Sequence, residues 1–242
     1  PASTVEALRL MAAAGSRIEG APDSSDALMA RLLSGPTNAD PRRPGGERLP
    51  LSTYRAWFDA LPWEAKSQVT DRWGAPESDP AVSGDAFALA VHRLGNACVA
   101  IQPARGYGID PKATYHAPDL VPPHAYLATY LWLRQAFGAH AVVHMGKHGN
   151  LEWLPGKGVA LSAACWPEIA LGPLPHLYPF IVNDPGEGTQ AKRRAQAVIL
   201  DHLTPPLTRA ETYGPLRDLE VLLDELSTAQ ATDPRRADHL RR

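Results

Sequence analysis

Three side chains able to hold a divalent ion or move a proton fall at four-residue intervals in one short stretch, AVVHMGKHGNLEWLPGK: His144, His148 and Glu152. Imidazole and carboxylate groups ligate divalent metals and act as acids and bases near neutral pH. Four-residue spacing places side chains on one face of a helix. Gly146 and Gly149 argue against a helix here, and no Glu directly follows either His, so the HExxH order of zinc peptidases is absent. The pattern instead predicts a short strand, AVVHM, running into a Gly-rich turn. The loops just past strand carboxyl ends are where open α/β sheets bind ligands. The residues alone leave two readings open: a metal or acid/base loop, and a loop whose histidines only cap or pack.

Two other stretches carry chemistry. In VNDPGEGTQAKRRA, Asn183 and Asp184 end a predicted strand, and a Gly-rich turn with Glu187 opens a helix. The positive end of that helix favours anions, and Lys192, Arg193 and Arg194 add charge further along it, which suits a ligand bearing carboxylates or carboxamides. The stretch is not GxxxxGK[ST], and nothing else in the chain reads as a nucleotide-hydrolysis loop. In IQPARGYGIDPKATYH, the residues Arg105, Lys112 and His116 share a long Pro-rich loop of the kind that is often functional inside a compact domain.

Patterning predicts what positions these loops. TVEALRLMAAAGSRIEG reads as a helix with Gly15 as its C-cap, and APDSSDALMARLLSGP as a second, capped at Asp23, Ser24 or Ser25 and ended by Gly35-Pro36. TNADPRRPGGERLP is a linker. The next segment, STYRAWFDALPWEAKSQVTDRWG, reads as two short helices broken near Leu61-Pro62; its Tyr54, Trp57, Phe58 and Trp63 fit core packing better than a docking face. FALAVHRLGNACVAIQP reads as strand, LGN turn, strand. AYLATYLWLRQAFG is an amphipathic helix closed by Gly138. LYPFIVND is a strand, GEGTQAKRRAQAVILDHL a helix, and LRDLEVLLDEL a last helix. The fold expected is α/β: a helical N-terminal part, then a mostly parallel α/β sheet region with long Pro/Gly-rich loops. The expected divisions are residues 1–38, a helical segment ending a preceding domain; 39–82, linker and short helices; and 83–242, the α/β core region.

Composition excludes some classes. With a net charge of −2 there is no bulk electrostatic case for nucleic acid or membrane binding. No apolar run approaches a membrane span, and PASTVEALRL lacks the features of a signal peptide. Cys98 and Cys165 form no CxxC pair, so a thiolate zinc site is not expected, and a reducing cytoplasm is. The 24 prolines, about twice the usual ~5%, require much loop.

HMGKHGNLEWLPGKGVALS and LYPFIVNDPGEGTQAKRRAQAVILDHLTPPL resemble the CobN-type large subunit of aerobic cobaltochelatase, a family related to the magnesium chelatase H subunit. IQPARGYGIDPKATYHAPDLVPPHAYLATYLWL and TVEALRLMAAAG fit the same family. NDPGEGTQAKRR is closer to the cobalt form than to the NPSEATIAKRR-like magnesium form. The resemblance implies an ATP-dependent ligase that forms nitrogen–metal bonds, inserting Co²⁺ as substrate metal into hydrogenobyrinic acid a,c-diamide in cobalamin biosynthesis. It implies that this chain meets the corrinoid tetrapyrrole while AAA+-type partner subunits hydrolyse ATP. It carries catalytic roles onto His148 and Glu152, metal ligation onto His144, His148 and Glu152, and substrate contacts onto Arg105, Asn183, Asp184, Glu187, Lys192, Arg193 and Arg194. Family subunits are several times longer, so the chain reads as an internal fragment. A magnesium chelatase-type subunit acting on protoporphyrin IX, a non-catalytic tetrapyrrole-binding or partner-docking module, and a metal-dependent hydrolase are the alternatives.

Overall fold

The computed structural model describes residues 1–107, 117–146, 148–179, 185–201, 212–232 and 234–240. Two compact units are present, Pro1–His202 and Leu203–Arg242. In the first, helices α1 (Ala2–Ala13) and α2 (Ser25–Ser34) come first. Ser24 caps α2 by accepting from the Ala27 amide at 3.2 Å, one of the three caps the sequence offered. Strand β1 (Glu47–Pro50), helices α3 (Leu51–Asp59) and α4 (Trp63–Trp73) and strand β2 (Val82–Ser83) follow. Pro62 stands immediately before α4, so the break falls where the proline predicts it.

The segment read as a single strand before the LGN turn is two strands. β3 (Ala86–Leu89) pairs antiparallel with both β1 and β2, whereas β4 (Val91–Leu94) forms a separate antiparallel hairpin with β5 (Ala97–Ala100). Gly95 turns that hairpin at φ +72°. A Cβ there would lie 2.6 Å from the Arg17 carbonyl oxygen, so both the turn and the chain packed against it need glycine.

Helix α5 (His124–Leu131) passes through the middle of the core and continues as a π-turn over Trp132–Ala136. The sequence reading made this helix amphipathic. Instead, every residue from Tyr126 to Leu131 is buried, as befits a helix that is apolar all round. Its first turn is held by Asp79, whose carboxylate accepts from the amides of Ala81 (2.9 Å) and Ala125 (3.0 Å). His124 is fixed between the Tyr54 hydroxyl (2.8 Å) and the Gly74 carbonyl (3.0 Å). Tyr54, Phe58 and Val69 share one core with Tyr126, Leu131, Trp132 and Trp166, and Trp57 packs against it. Trp63 does not join them and is 72% exposed.

Strand β6 (Val142–Val143), helix α6 (Trp166–Leu171), strand β7 (His176–Pro179), helix α7 (Pro185–Arg194) and strand β8 (Ala197–Leu200) complete this unit. The three strands form a parallel sheet in the order β6-β7-β8. The helix read over GEGTQAKRRAQAVILDHL is therefore corrected. It stops at Arg194, Gln196 turns the chain at φ +52°, and AVIL is a strand. Short apolar runs of this kind do not distinguish helix from buried strand by periodicity. The second unit contains helices α8 (Pro215–Thr232) and α9 (Pro234–Leu240), joined by an Arg236–Glu225 ion pair with Nε···Oε1 at 2.9 Å. Among the described residues no helix is long and apolar enough to cross a membrane.

Candidate metal-insertion site

The loop that leaves β6 is built as the sequence predicts, a strand end followed by a turn. His144 is tied to the sheet through its amide, which donates to the Leu177 carbonyl at 2.8 Å. Its ring stacks on Tyr178 at 4.5 Å between centroids and 14° between planes, with His176 5.9 Å away. His176 and Tyr178 alternate along β7 and so share a sheet face. Burial, reinforced by His176, pushes the His144 imidazole down to about 4, so it is neutral at physiological pH. His176 itself is 1% exposed and faces the Ala195 carbonyl through Nδ1 at 3.0 Å.

Glu152 lies in a single 3₁₀ turn, Leu151–Trp153, and is fully buried. Neither of its carboxylate oxygens has a well-aligned hydrogen-bond partner among the described residues. Burial pushes this carboxyl up to about 7; its own backbone amide and Arg105 oppose the rise, and the neighbouring Glu187 adds to it. Gly149 is what lets Glu152 and His144 approach each other. A Cβ on Gly149 would sit 2.5 Å from His144 Cε1 and 2.8 and 2.9 Å from the two Glu152 oxygens.

The second motif meets the first directly. Glu187, in the opening turn of α7, places Oε2 2.6 Å from His148 Nδ1 and accepts from the Gly149 amide at 2.8 Å. The Glu187 side chain is 4% exposed and that of His148 47%. Two turns further along α7, Arg194 donates to three carbonyls of the same loop: Glu152 (2.7 Å), Leu154 (2.6 Å) and Lys157 (3.0 Å). One helix thus grips the loop at both ends. Asn150 is braced between, accepting from the buried Tyr126 hydroxyl at 2.8 Å and donating to the Pro103 carbonyl at 3.0 Å.

The structure therefore gathers His144, His148, Glu152, Glu187 and Arg194 around one loop. Arg105 is buried; it donates to the Ala117 carbonyl at 2.7 Å, across the base of its own loop, and lies close enough to Glu152 to oppose that group's raised pKa. Lys192 and Arg193 are exposed on α7. Arg193 and Arg194 border an open pocket of about 380 Å³ with Ser162, Glu168 and Gln196. Lys112, His116, Asn183 and Asp184 lie outside the described residues. Among the described residues no three His, Cys, Asp or Glu side chains are grouped to hold one metal ion. His144 is stacked on Tyr178, Glu152 is buried, and His148 is engaged by Glu187 at Nδ1.

Sequence reasoning missed several supports of the site. His176 stands alone in LPHLYP and has no spacing that marks it. Cys165, buried, accepts from the amides of Lys157 (3.4 Å) and Ser162 (3.3 Å) and so ties down the far side of the loop.

Fold and site together define an α/β protein whose ionisable groups gather on the loop at the carboxyl end of a parallel strand, locked there by helix α7 from beyond the neighbouring strand. The family model of CobN/Magnesium Chelatase matches residues 1–242, and the chain belongs to that family. It is 62% identical over 237 residues to the aerobic cobaltochelatase subunit CobN of a Sinorhizobium species, covering 98% of this chain and 19% of that protein. It is 56% identical to the protein of the same name from Pseudomonas aeruginosa, covering 100% of this chain and 20% of that one. The solved catalytic subunit of cobaltochelatase from Mycobacterium tuberculosis superposes with a TM-score of 0.75 at 47% identity, over 99% of this chain and 21% of that one. The chain spans about a fifth of the length of these relatives.

Proposed function

We propose that this chain forms the metal-insertion site within the tetrapyrrole- and metal-binding large subunit of an ATP-dependent cobaltochelatase. The substrates are Co²⁺ and hydrogenobyrinic acid a,c-diamide, the setting is cytoplasmic cobalamin biosynthesis, and ATP is hydrolysed by AAA+-type partner subunits rather than by this chain. The observation that carries the reading is the meeting of two motifs 39 residues apart, His148 against Glu187, with buried Glu152 beside them.

Insertion poses two physical problems. The ion must exchange its water for ring nitrogens, and the inner N–H proton of the corrin ring must leave. His148 has the most exposed side chain of the three candidates and is the group that meets the ring; its imidazole accepts that proton. Glu152 answers the metal. With a pKa near 7 it is part protonated at neutrality, and an arriving dication favours its ionised form, so metal arrival and proton release are coupled there. His144, neutral and held against Tyr178, shapes the pocket between them. Lys192 and Arg193 meet the carboxylates and amides at the edge of the macrocycle.

The test is Glu152→Gln in the complete subunit, assayed for cobalt insertion with its ATPase partners present. The expected result is a loss of about 100-fold or more, on the scale of removing an acid/base group. Wild-type turnover with unchanged Co²⁺ affinity contradicts the role given to Glu152.

A further inference from the structure

Glu187 was expected to contact substrate, yet its side chain is 4% exposed and both of its oxygens are engaged inside the site. Oε1 takes the Gly149 amide and Oε2 faces His148 Nδ1 at 2.6 Å. Reaching outward to a macrocycle would require it to release both. A carboxylate is only an acceptor, so a ring nitrogen facing it must carry the hydrogen. The lone pair of a neutral imidazole then resides on Nε2. The hydrogen bond at one ring nitrogen settles the tautomer and the orientation of the other.

The placement of Glu187 is itself well supported. It stands in the first turn of α7, where the helix dipole favours a carboxylate. Arg194, two turns along the same helix, secures the far half of the loop through the carbonyls of Glu152, Leu154 and Lys157.

We infer that Glu187 is a positioning residue for the insertion reaction: bridging His148 Nδ1 and the Gly149 amide, it holds His148 in the tautomer that turns Nε2 toward the substrate, and it does not bind the substrate itself. This rests on the reading of His148 given above.

Glu187→Gln keeps the shape and the acceptor for Gly149 but presents an amide N–H to Nδ1, which reverses the tautomer. In the complete chelatase, kcat for cobalt insertion falls about 10- to 100-fold, the range for loss of such an orienting partner, while KM for the corrinoid stays within about twofold. In a His148→Ala background the same change lowers kcat no further. Acylation of His148 by diethyl pyrocarbonate, which needs an unprotonated imidazole nitrogen, is read by peptide mass spectrometry and slows several-fold in Glu187→Gln. Any of three results overturns the inference: a raised KM at unchanged kcat, which marks a substrate contact; an equal loss in both backgrounds, which marks a purely structural part; or unchanged acylation. Should His148→Ala alone insert cobalt at the wild-type rate while acylation still slows in Glu187→Gln, the role of His148 in the reaction fails and the control of its tautomer stands.

Discussion

Replacing Glu152 by Gln should make the protein's stability less dependent on pH. The side chain is fully buried and its carboxyl is pushed from the ordinary glutamate value of 4.5 up to about 7. Below pH 4.5 the group is neutral folded and unfolded and contributes nothing to the pH dependence. Between 4.5 and 7 the folded state keeps a proton that the unfolded chain has released, so unfolding free energy falls as pH rises. Above 7 the charge is buried and the whole cost is present. Each tenfold change in proton affinity is worth about 1.4 kcal/mol, so the rise costs about 3 kcal/mol at full ionisation. Glutamine has no charge to bury. The assay is urea unfolding of wild type and Glu152→Gln at intervals from pH 5 to 8.5, comparing the difference between them, in which groups not coupled to Glu152 cancel. The difference should shift in favour of the variant by about 3 kcal/mol across that range, with its steepest change below pH 7. Two parallel curves would refute the reasoning, because they would mean that Glu152 is ionised in the folded protein at a normal pKa.

Gly149→Ala puts a methyl group 2.5 Å from His144 Cε1 and under 3 Å from both Glu152 oxygens. Both side chains must move, so cobalt insertion should fall at least tenfold and stability by about 1–3 kcal/mol in thermal unfolding. Arg194→Ala strips three carbonyls of their donor; a loss of about 2 kcal/mol is expected by denaturant titration, and Arg194→Lys should recover only part of it, since an ammonium lacks the guanidinium fork. Asp79→Ala removes the acceptor for the Ala125 amide at the start of α5 and for the Ala81 amide in its own loop, and a cost of about 1–2 kcal/mol should appear in the same experiment.

Much of the site is legible in the residues, and the physical reasons divide what is from what is not. Glycines among the histidines put AVVHMGKHGN on a strand end and not a helix, and the sheet confirms it through the His144 amide and β7. Ser24 and Pro62 act locally, so the sequence marks their elements well. Partnerships across the chain were not readable. Glu187 and Arg194 looked like one basic, anion-seeking helix start, and only the fold turns them inward onto the loop, since side-chain partners 37 to 42 residues away leave no local pattern. AVIL was read as helix because it follows a helix and is too short to show its own period; pairing with β7 decides it. The burial of α5 on every side likewise depends on neighbours from α3, α4 and α6 that arrive from distant sequence.

The most direct test of the insertion site is a structure of the complete subunit with its corrinoid substrate bound. The proposed function requires His148 Nε2 to lie within hydrogen-bond reach of an inner ring nitrogen, about 3 Å or one water away, with Glu187 still on Nδ1 and Glu152 behind Gly149. A macrocycle bound elsewhere, with the loop from His144 to Lys157 untouched, would contradict it.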